Sequence, residues 1–191
     1  MKRSLSLFIL SFAFIFIVAK PLHADSAEQR LRNAVDEVVT IASSQTNSQS
    51  LAKKLRPVLP RYINFEAMTR RAVGVSWRQF TQEQKSKTID LFTTLIIDTY
   101  SNKFEPGAKP VINYKKAKPL ARNRLEIPTD LLYKGSRYNV VYRMEKTSDW
   151  KISDIVIEGV SLVANYRTQF NSEFKKNGAD GIIAALTRAT K

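Results

Sequence analysis

No cysteine occurs anywhere in the 191 residues, and the single histidine, His23, lies close to the N-terminus. The first absence excludes a thiol nucleophile, a thiolate metal site, a redox pair and any disulfide. The second, once a leader carrying His23 is removed, excludes a Ser-His-Asp triad, a histidine-ligated zinc and a histidine general base. Carboxylate or tyrosine chemistry stays open, but the usual catalytic set is missing. No internal repeat, low-complexity tract or interdomain linker is visible. Beyond residue 24 no apolar stretch is long enough to span a bilayer.

What is present begins with an export signal. Lys2 and Arg3 precede an uncharged apolar run from Leu5 to Ala19, and Leu22-His23-Ala24 before Asp25 supplies a small residue at a cleavage point. An apolar run of about 15 residues has signal-peptide length and falls short of the ~20 of a membrane span. The expectation is therefore a cleaved leader over 1–24 and one domain over 25–191, with an uncleaved N-terminal anchor as the rival. No cysteine follows the run to receive a lipid.

The formal net charge is +14, and losing Lys2, Arg3 and Lys20 with no acid lowers it by three. Such an excess attracts anionic surfaces and says nothing about fold. Lys109, Lys115, Lys116, Lys118, Arg122 and Arg124, with Lys134, Arg137 and Arg143, read first as a solvated face. The second reading is a surface that orients the protein toward anionic headgroups or an acidic docking partner.

Leu31, Ala34, Val35, Val38 and Ala42 recur at helical spacing, and a second helical stretch around 51–55 stops before Pro57. Asn64 is placed to cap a short helix ending near Gly74. Thr81-Gln82-Glu83-Gln84 has the capping-box pattern, ahead of a stripe of Ile89, Phe92, Ile96 and Tyr100 widened by Leu95 and Phe104. Pro106-Gly107 ends that helix.

From Lys109 to Glu158 the period becomes two. Strands are predicted over 111–115, over 124–127 before Pro128, along Tyr138 to Glu145, and over 150–157. Gly159 breaks the last, Ser161 caps a helix carrying Val163, Tyr166, Phe170 and Phe174, and Gly178 closes it. Asp180 then opens a short final helix. Helices, a strand meander, then helices again make an α+β plan, with helices across one face of an antiparallel sheet.

Two segments carry more. One is Val58-Leu59-Pro60-Arg61-Tyr62-Ile63-Asn64-Phe65, followed by Met68-Thr69-Arg70, Gly74, Trp77, Thr81, Gln84 and Phe92. The other runs from Trp150 through Asp154 and Glu158-Gly159-Val160-Ser161 to Val163, then Asn165-Tyr166-Arg167, Phe170 and Gly178. From about residue 28 onward the chain resembles the MlaC family, periplasmic phospholipid-binding components of the Mla lipid-transport system, related to toluene-tolerance proteins. The Glu-Gly-Val-Ser run after an Asp-bearing strand is the most specific part.

The resemblance implies a curved antiparallel sheet covered by amphipathic helices, an NTF2-like cone, enclosing an apolar cavity for acyl chains. It implies a periplasmic shuttle between an inner-membrane MCE-type ABC transporter complex and an outer-membrane lipoprotein complex, maintaining outer-membrane lipid asymmetry. By the same resemblance, Tyr138, Val140, Tyr142, Met144, Ile155, Ile157 and Val160 would wall the cavity from the sheet, and Phe92, Leu95 and Ile96 from a helix. From periodicity alone, all of these read as ordinary core.

Neither cofactor, metal nor nucleic acid is implied, contact with a membrane surface would be transient, and a monomer is expected. Tyr62, Trp77 and Trp150 read as structural anchors, Asp154 as a buried carboxylate paired with Arg61, Arg70 or Arg167, and Ser161 as a cap. Three other readings stay open. They are a carrier of a different lipid such as a hopanoid-type polycyclic, an enzyme on an NTF2-like scaffold using Asp154 or a tyrosine, and a basic module for polyanions.

Overall fold

The computed structural model describes residues 22–103, 105 and 109–191. The expected leader up to Pro21, Phe104 and the expected Pro106-Gly107 stop lie outside the described residues. Five helices and six strands follow in the order α1 (Leu22–Ser43), α2 (Ser48–Leu55), α3 (Phe65–Val73), α4 (Gln82–Ser101), β1 (Val111–Tyr114), β2 (Lys118–Ala121), β3 (Arg124–Tyr133), β4 (Ser136–Lys146), β5 (Trp150–Ile157), β6 (Val160–Ser161) and α5 (Leu162–Ala189). Short 3-10 turns at Leu59–Arg61 and Gly74–Gln79 flank α3.

The caps explain where the helices start. Asn64 accepts the Ala67 amide at 3.0 Å, and Gly74 at φ 72° ends α3. Thr81 and Gln84 form the reciprocal capping box, satisfying two amides that the first turn leaves without partners. Gly178, at φ 60° and ψ −149°, and Asn177 kink α5, so that it is two helical arms rather than one rod. This is the break predicted at that glycine.

The sheet is antiparallel, ordered β1-β3-β4-β5-β6, with β2 also on β3. β1 pairs with 129–132 and β2 with 124–126, so they share one edge of β3 in succession. β2 has no counterpart in the sequence reading, because its four residues are all exposed and show no alternation.

β3 corrects a second expectation. It does not stop before Pro128 but runs through it to Tyr133. The Pro128 carbonyl accepts the Lys115 amide on the outer side, where β1 gives way to the connection to β2. A residue's N–H and C=O point to the same side of an antiparallel strand, so the missing N–H removes no bond to β4. Lys134 (φ 53°) and Gly135 (φ 76°) then make the two-residue hairpin turn into β4.

The core lies between one sheet face and the helices. Leu125 and Ile127 of β3, Met144 of β4 and Trp150 and Ile152 of β5 pack with Leu31, Met68, Phe92 and Leu186 in a single cluster. A short parallel bridge joins the Leu59–Asn64 segment to β5: the Ile152 amide donates to the Tyr62 carbonyl and the Asn64 amide to the Ile152 carbonyl, each at 2.8 Å. The Trp150 indole N–H donates to Ser26 Oγ at 3.1 Å, which ties the start of α1 to β5.

Candidate functional site

Alternation along β4 and the pairing of its neighbours decide which side chains share a face. Tyr138, Val140, Tyr142 and Met144 fall on one face of β4. Across the ladder Ile157 stands opposite Val140 and Ile155 opposite Tyr142. Beyond Ile155 the register shifts, so that Ile152 opposes Met144 and stays on the same face despite the odd spacing. Val160 stands opposite Ile157. The structure thus brings all seven sheet residues into one contiguous patch.

Exposure grades along that patch. Met144 and Val140 are buried, Tyr142, Ile155 and Ile157 half-buried, Tyr138 37% exposed and Val160 61% exposed. At one end the patch merges with the core; at the other it forms an apolar rim open to solvent. At the rim Lys134 pairs with Glu105, and the Glu158 carboxylate accepts the Asn139 amide.

The three helical residues come from α4 and pack into the same core cluster. Phe92 and Ile96 are buried, and the Phe92 ring meets Tyr166 and Phe170 edge-on at 4.8 and 5.3 Å. Leu95 is half-buried and lines a cleft of about 430 Å³ with Tyr166, Phe170, Glu173, Leu186 and Ala189. That cleft lies between α4 and the two arms of α5, and no sheet residue lines it.

Four tyrosines that the sequence did not single out as a group have phenols pushed up by burial. Tyr142 is raised to about 12, by desolvation first and the neighbouring Tyr114 second. Tyr100 and Tyr166 are raised mainly by burial as well. Burial also raises Tyr114, against the opposing pull of Arg32, whose guanidinium stacks 3.9 Å above the ring. At neutral pH these groups are neutral donors, not bases. The signal available in the sequence was only their place on apolar stripes.

Asp154 is buried, but its partner is not one of the three arginines expected. Arg143, directly opposite on β4, reaches Asp154 Oδ2 at 3.1 Å. Arg61 instead pairs with Glu37, and Arg167 Nε donates to the Arg71 carbonyl at 2.8 Å. A cross-strand neighbour is fixed by register, which the sequence leaves free. Asp154 also accepts Ser161 Oγ at 2.7 Å and the Val163 amide at 3.1 Å, while Ser161 Oγ accepts the Ala164 amide at 3.0 Å.

The Asp-strand and Glu-Gly-Val-Ser motif therefore builds a turn and a helix cap, with Glu158 (φ 49°) and Gly159 (φ 79°) as turn residues. Tyr62 is an anchor of the same sort: its hydroxyl donates to Glu37 at 2.7 Å, with Arg30 and Arg61 over its ring at 4.7 and 5.5 Å. Among the described residues no group of three or more histidine, cysteine, aspartate or glutamate side chains is placed to hold a metal. No described helix is long and apolar enough to cross a membrane.

Comparison with known proteins gives these features a context. The family model for MlaC protein matches residues 31–188. Among solved structures, a phospholipid-binding protein from Ralstonia solanacearum in complex with a phospholipid superposes with a TM-score of 0.80 at 25% identity, covering 86% of this chain and 97% of that one. No curated protein sequence matches the chain. With a family model aligned over residues 31–188, and the α+β architecture with a curved sheet that the motifs led one to expect, this chain belongs to the MlaC family.

Proposed function

We propose that the protein is an exported phospholipid carrier. It holds acyl chains against the apolar sheet face and passes the lipid between an inner-membrane MCE-type ABC transporter complex and an outer-membrane lipoprotein complex. Its work is to keep phospholipid and the outer membrane's asymmetry in balance, without covalent chemistry. The observation that carries the reading is the near-full-length likeness to a protein holding a phospholipid. The sheet patch adds physical sense, because it runs unbroken from core to an open rim.

Each methylene taken from water into an apolar site is worth about 0.8 kcal/mol, so acyl chains supply ample driving force. Tyr138 and Val160 stand at the rim in this reading, and Val140, Tyr142, Ile155 and Ile157 further in, with Met144 at the floor. Phe92, Leu95 and Ile96 back the wall from α4. Export follows from the leader over 1–24, with the periplasm as destination. Ala27, fully buried on α1, lies beyond Ala24, so cleavage there retains it.

Solvent extraction and mass spectrometry of natively purified protein test the reading. Glycerophospholipid is expected in the extract. A polycyclic lipid in its place would assign a different cargo, and an empty protein would contradict a carrier.

A further inference from the structure

The β2–β3 arm is the least supported part of the sheet. Every residue from Lys118 to Arg124 is exposed, and the substantial packing of β2 is against β3. Leu120, 48% exposed, stands on this arm among Lys116, Lys118, Arg122 and Arg124. None of those four cations makes an ion pair among the described residues. The neighbouring acids are engaged elsewhere: Asp130 with Lys115 at 2.6 Å, Glu145 with Arg71, and Glu126 at 4.0 Å from Arg143. The charge excess of the molecule is therefore uncompensated here.

We infer that this arm is a tether for an anionic bilayer surface. Four free cations around one exposed leucine suit a layer of negative headgroups over an apolar interior. The arm's residues from Lys118 to Arg124 are all exposed and do not line the described cleft, and Pro119 and the register shift at β2 make the arm a poor template for strand addition. A fluid surface that can bring charges to wherever the cations stand has no need of either. Docking through the arm leaves the rim uncovered. The inference deepens the carrier reading and rests on it for its purpose, but its physical content is separate.

The test is co-sedimentation of the purified protein with vesicles of phosphatidylcholine alone or of phosphatidylcholine mixed with phosphatidylglycerol. Three proteins are compared: wild type, an arm variant (Lys116→Gln, Lys118→Gln, Arg122→Gln, Arg124→Gln) and a charge-matched control (Lys53→Gln, Lys54→Gln, Lys87→Gln, Lys175→Gln). Wild type and control are expected to bind the phosphatidylglycerol vesicles and to be released by salt. Removing each cation should weaken binding about fivefold, so the arm variant, lacking four, should lose about six-hundredfold.

Equal loss in the control, or equal binding of wild type to both vesicle types, overturns the tether. An arm variant that binds vesicles normally but is no longer retained on immobilised polyglutamate assigns the arm to an acidic protein, and also overturns it. Co-purified phospholipid, measured on all three proteins, separates the two ideas. It should be unchanged in the arm variant, and its absence from wild type would remove the carrier reading without touching the vesicle result.

Discussion

Asp154 holds three donors at once, from Arg143, Ser161 and the Val163 amide, and so joins β4, β5 and the start of α5. Asp154→Ala strips the Ser161 cap of its support and the Val163 amide of its acceptor, and leaves the half-exposed Arg143 with only Glu126, at 4.0 Å. A loss of about 1–3 kcal/mol in denaturant unfolding is expected, against about 1 for Ser161→Ala. Equal, negligible effects would show that the motif is not a cap.

Tyr62 and Glu37 form a second such point. The Tyr62 hydrogen bond holds the Glu37 carboxyl below its ordinary value of 4.5, with Arg61 assisting, and Glu37 raises the Tyr62 phenol above 10.0. The depressed carboxyl contributes stability present above pH 4.5 and lost as pH falls through its folded value. The raised phenol contributes stability present below pH 10.0 and lost as pH rises through its folded value. Tyr62→Phe should therefore flatten both the acid and the alkaline limb of a stability-versus-pH curve. Limbs that superpose on wild type would contradict the pairing.

Among the elements, α5 depends most on a single missing atom. A Cβ at Gly181 would lie 2.6 Å from the Glu173 carbonyl oxygen and 2.9 Å from Asn177 Cβ, so the two arms meet only because that position is bare. Gly181→Ala should destabilise the protein by about 1–3 kcal/mol, read from its denaturation midpoint, although alanine favours helices. A stabilised variant would mean the kink is not close-packed.

The kink itself was legible, because Gly178 interrupts a periodic stripe, and so were the Asn64, Thr81 and Ser161 caps. β2 was not, because its exposed residues carry no burial pattern. The passage of β3 through Pro128 was not either. Proline's cost depends on which side of a strand its nitrogen faces, and pairing decides that.

For the whole molecule, the face shared by Tyr138, Val140, Tyr142 and Met144 was legible from alternation. That Ile155, Ile157 and Val160 join it depends on a register shift and on a two-residue turn, which the family resemblance carried where local pattern could not. The exposure of Val160 and Tyr138 was not legible, because a periodic apolar residue looks the same in a core and at a rim. Arg143 as the partner of Asp154 was hidden for the same reason as the passage of β3 through Pro128: it is a fact of pairing.

The central claim is that this patch carries phospholipid between membranes. The most direct measurement follows a labelled phospholipid from donor to acceptor vesicles with delipidated protein between them. Transfer is expected to rise with protein concentration, and labelled phospholipid to be recovered bound to the protein. Transfer no faster than without protein, with no lipid recovered on the chain, would contradict the account.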